Sequence, residues 1–346
     1  MTQSSDAIVP LGAMRFNSDS QKLEYWNGSA WMQIQTFSPN LDGGSRGLFM
    51  GGATPSQVTP IDFITISTFG NAQDFGDRTQ SGEGGHFASR TRAVCGGASA
   101  PTYTTTVDFV TISSTGNATD FGDKTTQNAR ASGCSNATRG MYAGGFKAPA
   151  ASDVIDFCTI ATTGDFLDFG NLVGNREAPA GNVNSPTRAL WLSGDTDGAG
   201  NFANSISFVT IASTGNAQEF GGLFDTFFGG SGLSNAIRGL IGGGYNPNSP
   251  VASNSAINVI QSITISTLGN TTDFGDLVSN QEARYNVGSC TDCVRGIFAG
   301  GTHSGGLTNV IGAVNLASEG NAVKFGDLTA NKRYYGGTSN GHGGLG

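Results

Sequence analysis

The sequence predicts an all-β fold: a six-bladed β-propeller with four-stranded blades, its first blade closed by the C-terminal strand. Three observations carry the prediction. One degenerate repeat of about fifty residues recurs six times, its third strand is apolar on both faces, and the last copy breaks off where the first copy starts.

The repeat has three landmarks in a fixed order. An Arg opening a hydrophobic strand stands at Arg46, Arg92, Arg139, Arg188, Arg238 and Arg295, and most copies run into Gly-Gly, as in RGMYAGG from Arg139. A strand of the VDFVTISSTGN type follows, starting at Ile61, Val107, Ile155, Ile206, Ile260 and Ile311. A D-F-G-D-like element ends the copy, with its Phe at Phe75, Phe121, Phe169, Phe220, Phe274 and Phe325. Each copy therefore reads as four strands. A small-residue strand comes first, around residues 131–136 in one copy and 285–289 in another. The Arg-led strand is second; the third, such as 107–112, ends in a Thr-Gly-Asn hairpin turn; the D-F-G-D segment is fourth. Along residues 61–66, Ile61 and Phe63 point one way while Ile64 and Ile66 point the other. A strand buried on both faces suits a blade packed between two neighbours.

Composition agrees. The chain has 54 Gly in 346 residues, well above the usual ~7% share. They follow no collagen period, so they read as turn residues that supply φ > 0. Residues 331–346, NKRYYGGTSNGHGGLG, match the first-strand region of other copies and stop where an Arg-led strand belongs. Residues 333–341 are thus expected to add one strand to the blade built from 46–78, leaving no orphan edge. The expected domains are 1–40, an N-terminal β-hairpin attachment segment, and 41–346, the propeller.

Residues 11–34 alternate apolar and polar side chains around an Asn-Ser-Asp-Ser turn from Asn17 and an Asn27-Gly28 turn, predicting three short strands. So small a sheet cannot bury a core of its own. Its Arg15, Phe16, Tyr25, Trp26 and Trp31 are therefore candidates for a docking surface.

The formal net charge is −8 and the 18 Lys and Arg form no basic stripe, which argues against nucleic acid. No N-terminal run is apolar enough for a leader or a spanning helix, so no membrane insertion is expected. Five Cys without regular spacing read as buried small hydrophobes. The repeated D-F-G lacks the other kinase elements and reads as structural: Phe packs, Gly turns, Asp caps. A ring of Asp77, Asp123, Asp276 and Asp327 is broken by Asn171 and Gly222, and the C-x-x-C at Cys290 stands alone. No catalytic residue, metal or cofactor is expected. The six Arg read as ties between blades through carboxylates such as Asp62, Asp108 and Asp156. Loops at 53–60, 98–106, 146–153, 194–205, 245–256 and 302–308 differ in every copy and should emerge on one face. Tyr103, Phe146, Phe202 and Tyr245 put an aromatic in four of them, suiting carbohydrate or protein contact.

The Arg-led strand, the hydrophobic run into Gly-Gly and the third strand after a variable loop resemble kelch repeats over residues 46–346. The aromatic pair usual after Gly-Gly is missing, and the D-F-G Phe is expected to fill its space. Gly12, Arg15-Phe16-Asn17, Lys22-Leu23-Glu24-Tyr25, Gly28 and Trp31 resemble a short module at the N-termini of bacteriophage tail and fibre proteins. Repeats of the TISSTGNATDFGD kind are similar to virion proteins of marine, especially cyanobacterial, phages. The resemblance implies a non-enzymatic tail protein of the virion, made in the host cytoplasm. Its partners would be other phage tail proteins and a host-surface glycan or protein. The alternative is a bacterial kelch-type carbohydrate-binding or adhesin protein.

Overall fold

The computed structural model describes residues 9–17, 22–33, 45–99, 101–249, 252, 253, 255–278, 283–334 and 336–345. The chain divides into two compact units, 1–43 and 44–346, three residues beyond the expected 40/41 boundary.

In the smaller unit, Met14–Asn17, Lys22–Trp26 and Trp31–Gln33 form one antiparallel sheet in chain order. The register sets Met14, Tyr25 and Met32 in one row and pairs Phe16 with Leu23. Arg15, Glu24 and Gln33 form the intervening row and Trp26 pairs with Trp31, both on the opposite face. The Asn27 turn forms as expected, its Oδ1 accepting the N–H groups of Ser29 and Ala30 at 2.9 and 2.8 Å. Residues 18–20 of the other expected turn lie outside the described residues.

The larger unit is all β apart from a short 3-10 turn, Gly343–Leu345. Among the described residues, six antiparallel sheets follow the repeat order, five of four strands and one of five. The first sheet takes Thr338–Ser339 as its first strand, followed by Arg46–Met50, Pro60–Thr65 and Gln73–Asp77. The second is Gly85–Ala88, Arg92–Gly96, Thr106–Thr111 and Thr119–Asp123. The third is Ser132–Ser135, Arg139–Ala143, Ala150–Thr159 and Leu167–Arg176, with Phe146–Lys147 paired on its long third strand. Ala180–Asn184, Arg188–Leu192, Ser205–Thr210 and Gln218–Gly222 make the fourth. Ser231–Ser234, Arg238–Gly242, Val259–Thr264 and Thr272–Asp276 make the fifth. Gly288–Thr291, Arg295–Ala299, Val310–Asn315 and Val323–Asp327 make the sixth. This all-β architecture is consistent with a β-propeller.

Both faces of each sheet are buried. Ile61 and Phe63 share a cluster with Val110 and Ile112 of the second sheet, while Ile64 and Ile66 join Ile297 and Ile311 of the sixth. The D-F-G Phe fills the space between sheets, meeting the third-strand Phe edge-on at 5.7 Å for Phe63–Phe75 and 5.9 Å for Phe109–Phe121. Cys95, Cys134, Cys158 and Cys290 are buried, Cys293 is half-buried, and all five are free thiols.

Two sets of bonds join one sheet to the next, and both revise the sequence reading. The Arg residues do tie sheets together, but through backbone carbonyls. Arg46 donates to the Ile112 carbonyl at 2.8 Å, Arg92 to Ile160 at 2.9 Å and Arg139 to Ile211 at 2.6 Å. Arg188 reaches Ile265, Arg238 reaches Leu316, and Arg295 returns to Ile66 of the first sheet. Each guanidinium that starts on Arg46, Arg92 or Arg139 also lies 4.5–5.2 Å over the Phe of its own third strand. The expected pairing with Asp62, Asp108 and Asp156 fails for a reason of register. Arg46 faces Thr65 whereas Asp62 faces Phe49, three rows or roughly 10 Å along the strand. Asp62 instead accepts from Lys332 and Tyr334, Asp108 from Arg78, and Asp156 from Thr125.

The second set uses the Thr-Gly-Asn segment. The hairpin turns earlier, at residues 66–68, and Gly-Asn lies against the fourth strand of the preceding sheet. The Gly116 N–H donates to the Phe75 carbonyl at 2.7 Å, and Asn117 Oδ1 accepts the Asp77 N–H at 3.0 Å. The same Oδ1 contact recurs from Asp165, Asn216, Asn270, Asn321 and Asn71. The D-F-G Gly is thus fixed by close approach at a β-bulge, and makes no turn. At Gly122, with φ +141°, a Cβ would sit 2.4 Å from the Gly164 carbonyl oxygen.

Candidate functional site

The sheets share one construction at the end where the variable loops emerge. The loop after a second strand doubles back and bridges the segment that leads into a first strand, as in Ala129 with Phe146, Glu177 with Asp195, and Phe228 with Tyr245. Over the third, fourth, fifth and sixth sheets these loops and approach segments line an open cavity of about 560 Å³, inside the ~300–1,000 Å³ range of small-molecule sites. Phe146, Phe202, Phe228, Tyr245 and Tyr285 line it together with Arg130, Glu177 and Asp195.

Three of the four expected loop aromatics, Phe146, Phe202 and Tyr245, therefore share one cavity, and Tyr103 packs edge-on against Phe146 at 6.5 Å. Parts of the loops 98–106 and 245–256, at residues 100, 250, 251 and 254, lie outside the described residues. The sequence reading missed Arg130, Glu177, Asp195, Phe228 and Tyr285. Tyr285 had been expected inside a first strand at 285–289, but that strand is Gly288–Thr291. The later start leaves Tyr285 in the approach segment, where it meets Tyr245 at 5.2 Å. The signal was positional: the residues two or three before each small-residue strand, such as Arg130, Glu177, Phe228 and Tyr285, change chemistry from copy to copy.

The charged groups form a linked set. Buried Glu83 accepts from Arg333 Nε at 2.8 Å and lies 3.6 Å from Arg130 Nε. Arg130 also bonds Glu177. Burial pushes the Glu177 carboxyl up, and the Arg130 contact opposes it. Arg130 itself adopts φ +59°, the left-handed region, with its N–H on the Glu83 carbonyl. Asp195 is turned onto its own loop, accepting the N–H groups of Asp197, Gly198 and Gly200 at 3.1, 2.9 and 2.8 Å. A ligand here meets apolar ring faces, carboxylate acceptors and a half-exposed guanidinium.

The five candidate docking residues of the smaller unit do not form one patch. Phe16 and Tyr25 share an exposed apolar face with Met14 and Met32. Arg15, Trp26 and Trp31 lie on the other face, where Arg15 sits 4.2 Å over the Trp31 ring and binds Glu24 at 2.9 Å. Bonds from Asn17 and then Arg15 hold the Glu24 carboxyl below its usual range.

At the other end of the first strands, residues 341–345 turn inward. The expected strand over 333–341 reduces to Thr338–Ser339, paired with Gly47 and Leu48, while Arg333 joins Glu83 and Tyr335 lies outside the described residues. Buried His342 takes the Ala88 carbonyl at 2.8 Å on Nε2 and faces the Asn184 amide and the Gly344 N–H on Nδ1. These partners fix the neutral ring with its proton on Nε2. Burial lowers His342 to about 4. A Cβ on Gly344 would lie 1.9 Å from the Ser135 oxygen, and one on Gly343 would lie 2.3 Å from the Asn235 carbonyl carbon. Arg90 donates to the Leu345 carbonyl and Cys293 to that of Gly341, so this segment reaches most of the sheets at once.

Asp77, Asp123, Asp276 and Asp327 stand on four different fourth strands. Among the described residues, no three or more His, Cys, Asp or Glu gather in a way that could hold a metal, and no helix is long and apolar enough to cross a membrane.

No family model and no curated protein matches the chain. Among solved structures, one titled "Structure of YjhT" superposes with a TM-score of 0.58 at 10% identity, covering 73% of this chain and 86% of that one. At that identity the likeness bears on fold alone.

Proposed function

We propose that the chain is a non-enzymatic tail protein of a phage virion, a six-bladed kelch-like propeller closed by Thr338–Ser339. The N-terminal sheet attaches it to other tail proteins, and the loop-end cavity meets a host-surface glycan. The observation that carries the binding reading is the cavity: aromatic walls from four adjacent sheets beside Arg130, Glu177 and Asp195. Sugar rings present C–H faces to aromatics and hydroxyls to carboxylates, and this lining supplies both. The phage setting rests on the resemblance of residues 12–31 and of the repeat, and the exposed row of Met14, Tyr25 and Met32 supports an attachment role.

Calorimetric titration of the full chain with surface polysaccharide from candidate host cells tests the glycan reading. Binding should weaken about tenfold in Phe202→Ala and in Tyr245→Ala. Undiminished binding in both variants would move the site elsewhere. The polysaccharide should be recovered unchanged; release of new reducing ends would put an enzyme that uses Glu83, Arg130 and Glu177 ahead of a binder. For attachment, full-length protein should join phage tail proteins in a pull-down while a form lacking 1–43 should not. Equal recovery of both forms would remove the anchor.

A further inference from the structure

The connections between sheets share a buried polar device that is incomplete in one place. The connection leaving a fourth strand approaches the third residue of the next third strand. Between the first and second sheets, Arg78 binds Asp108 at 3.0 Å. Between the sixth and first, Lys332 binds Asp62 at 2.8 Å and Thr329 joins them. Two connections have lost the carboxylate and carry another acceptor in its place. Ser207 replaces the carboxylate in the fourth sheet, and Arg176 bonds Ser205 at 2.6 Å. Gln261 replaces it in the fifth, and the connection offers the Phe224 N–H and no cation.

The fifth-to-sixth connection keeps the cation and loses the acceptor. The position of Asp62 and Asp108 is Gly312, and Val278 stands where Thr79 and Thr329 stand. Arg284 is 0% exposed. One terminal amine, Nη1, donates to the Gly300 and Val310 carbonyls at 3.1 and 2.8 Å, but Nε and Nη2 have no acceptor among the described residues. A Cβ on Gly312 would lie 3.6 Å from Nη2, so the unused donors sit beside the point where the other copies carry a carboxylate. Burial draws Arg284 down to about 10, which leaves it charged at neutral pH.

We propose that Arg284 binds a small monovalent inorganic anion of the chloride type through Nε and Nη2, in place of the missing aspartate. A buried guanidinium without a counter-charge is strongly unfavourable, and its unused N–H groups need acceptors. Two donors suit a monovalent ion and give a larger oxyanion too few partners; Val278 Cγ2, 2.7 Å from a Cβ built on Gly312, must turn aside to admit it.

The test is thermal melting of the full chain in sodium chloride, bromide or fluoride at matched ionic strength, beside Gly312→Asp and Arg284→Met. The wild type should gain about 2 °C or more in chloride or bromide over fluoride, as a ligand of the native state must. Gly312→Asp, which supplies an internal carboxylate, should lose that preference, and bromide should give an anomalous peak within hydrogen-bond reach of Nη2. The same halide preference in Gly312→Asp, or no peak at Arg284 in bromide-soaked crystals, would overturn the proposal. Because a Cβ on Gly312 would meet Val278 Cγ2 at 2.7 Å, the bromide peak in wild-type crystals keeps the test decisive if neither variant folds.

Discussion

At the scale of single residues, the sheets hold one another by side chains that grip backbone. Arg139 combines a charged hydrogen bond to the Ile211 carbonyl with a ring contact to Phe157. Arg139→Ala should therefore cost about 2 kcal/mol, read from the denaturant midpoint, and Arg139→Lys should recover only part of it. Gly116 of a Gly-Asn segment and Gly122 of a D-F-G element separate sterics from backbone preference. Gly122 and Gly116 both have positive φ, but only Gly122 faces a carbonyl. Gly122→Ala should lose at least about 2 kcal/mol more than Gly116→Ala in the same measurement. His342 sets a pH dependence. Its folded value of about 4 lies below the ordinary 6.5, so between these values the unfolded chain binds the proton and the folded one resists it. Its contribution is complete above about pH 6.5 and falls away toward pH 4. Subtracting the unfolding energies of His342→Gln from wild type at pH 7.5, 5.5 and 4 should expose a loss of up to roughly 3 kcal/mol. Buried His86, lowered to about 3, acts in the same direction and remains in both proteins.

At the scale of elements, the alternation of Ile61, Phe63, Ile64 and Ile66 made both-face burial legible, because a period of two needs no tertiary knowledge. The Arg-led strands were legible for the same reason. The partners of those Arg were not, since they are carbonyls, and a carbonyl has no letter in the sequence. Nor was the Gly-Asn segment's bond to the preceding sheet, whose purpose appears only when a second sheet lies beside the first. The loop aromatics could be named, but their gathering over three sheets depends on how far each loop doubles back. The segment 338–345 is the element most open to test. It supplies the first strand of the first sheet and seats His342 among Ala88, Ser135 and Asn184. Truncation after residue 336 should lower the melting temperature by more than about 10 °C or leave the protein insoluble, while a two-residue deletion within the exposed 196–201 loop should leave it nearly unchanged.

At the scale of the larger unit, contacts run from each sheet to the next and from the sixth back to the first. Unlike an open array, such a set has no end at which fraying can begin. Calorimetry on residues 44–346 should show one transition with equal calorimetric and van't Hoff enthalpies; two resolved transitions would mean that neighbouring sheets are coupled too weakly to melt together. The pairing of Thr338–Ser339 with Gly47 and Leu48 also has a consequence for the making of the protein. Synthesis runs from the N-terminus, so the second, third, fourth, fifth and sixth sheets have all left the ribosome before the strand that completes the first sheet exists. Residues 46–77 must wait, three strands with one edge open, through the translation of most of the chain. That wait is when a nascent molecule would be most prone to capture the edge strand of a neighbour on the same message.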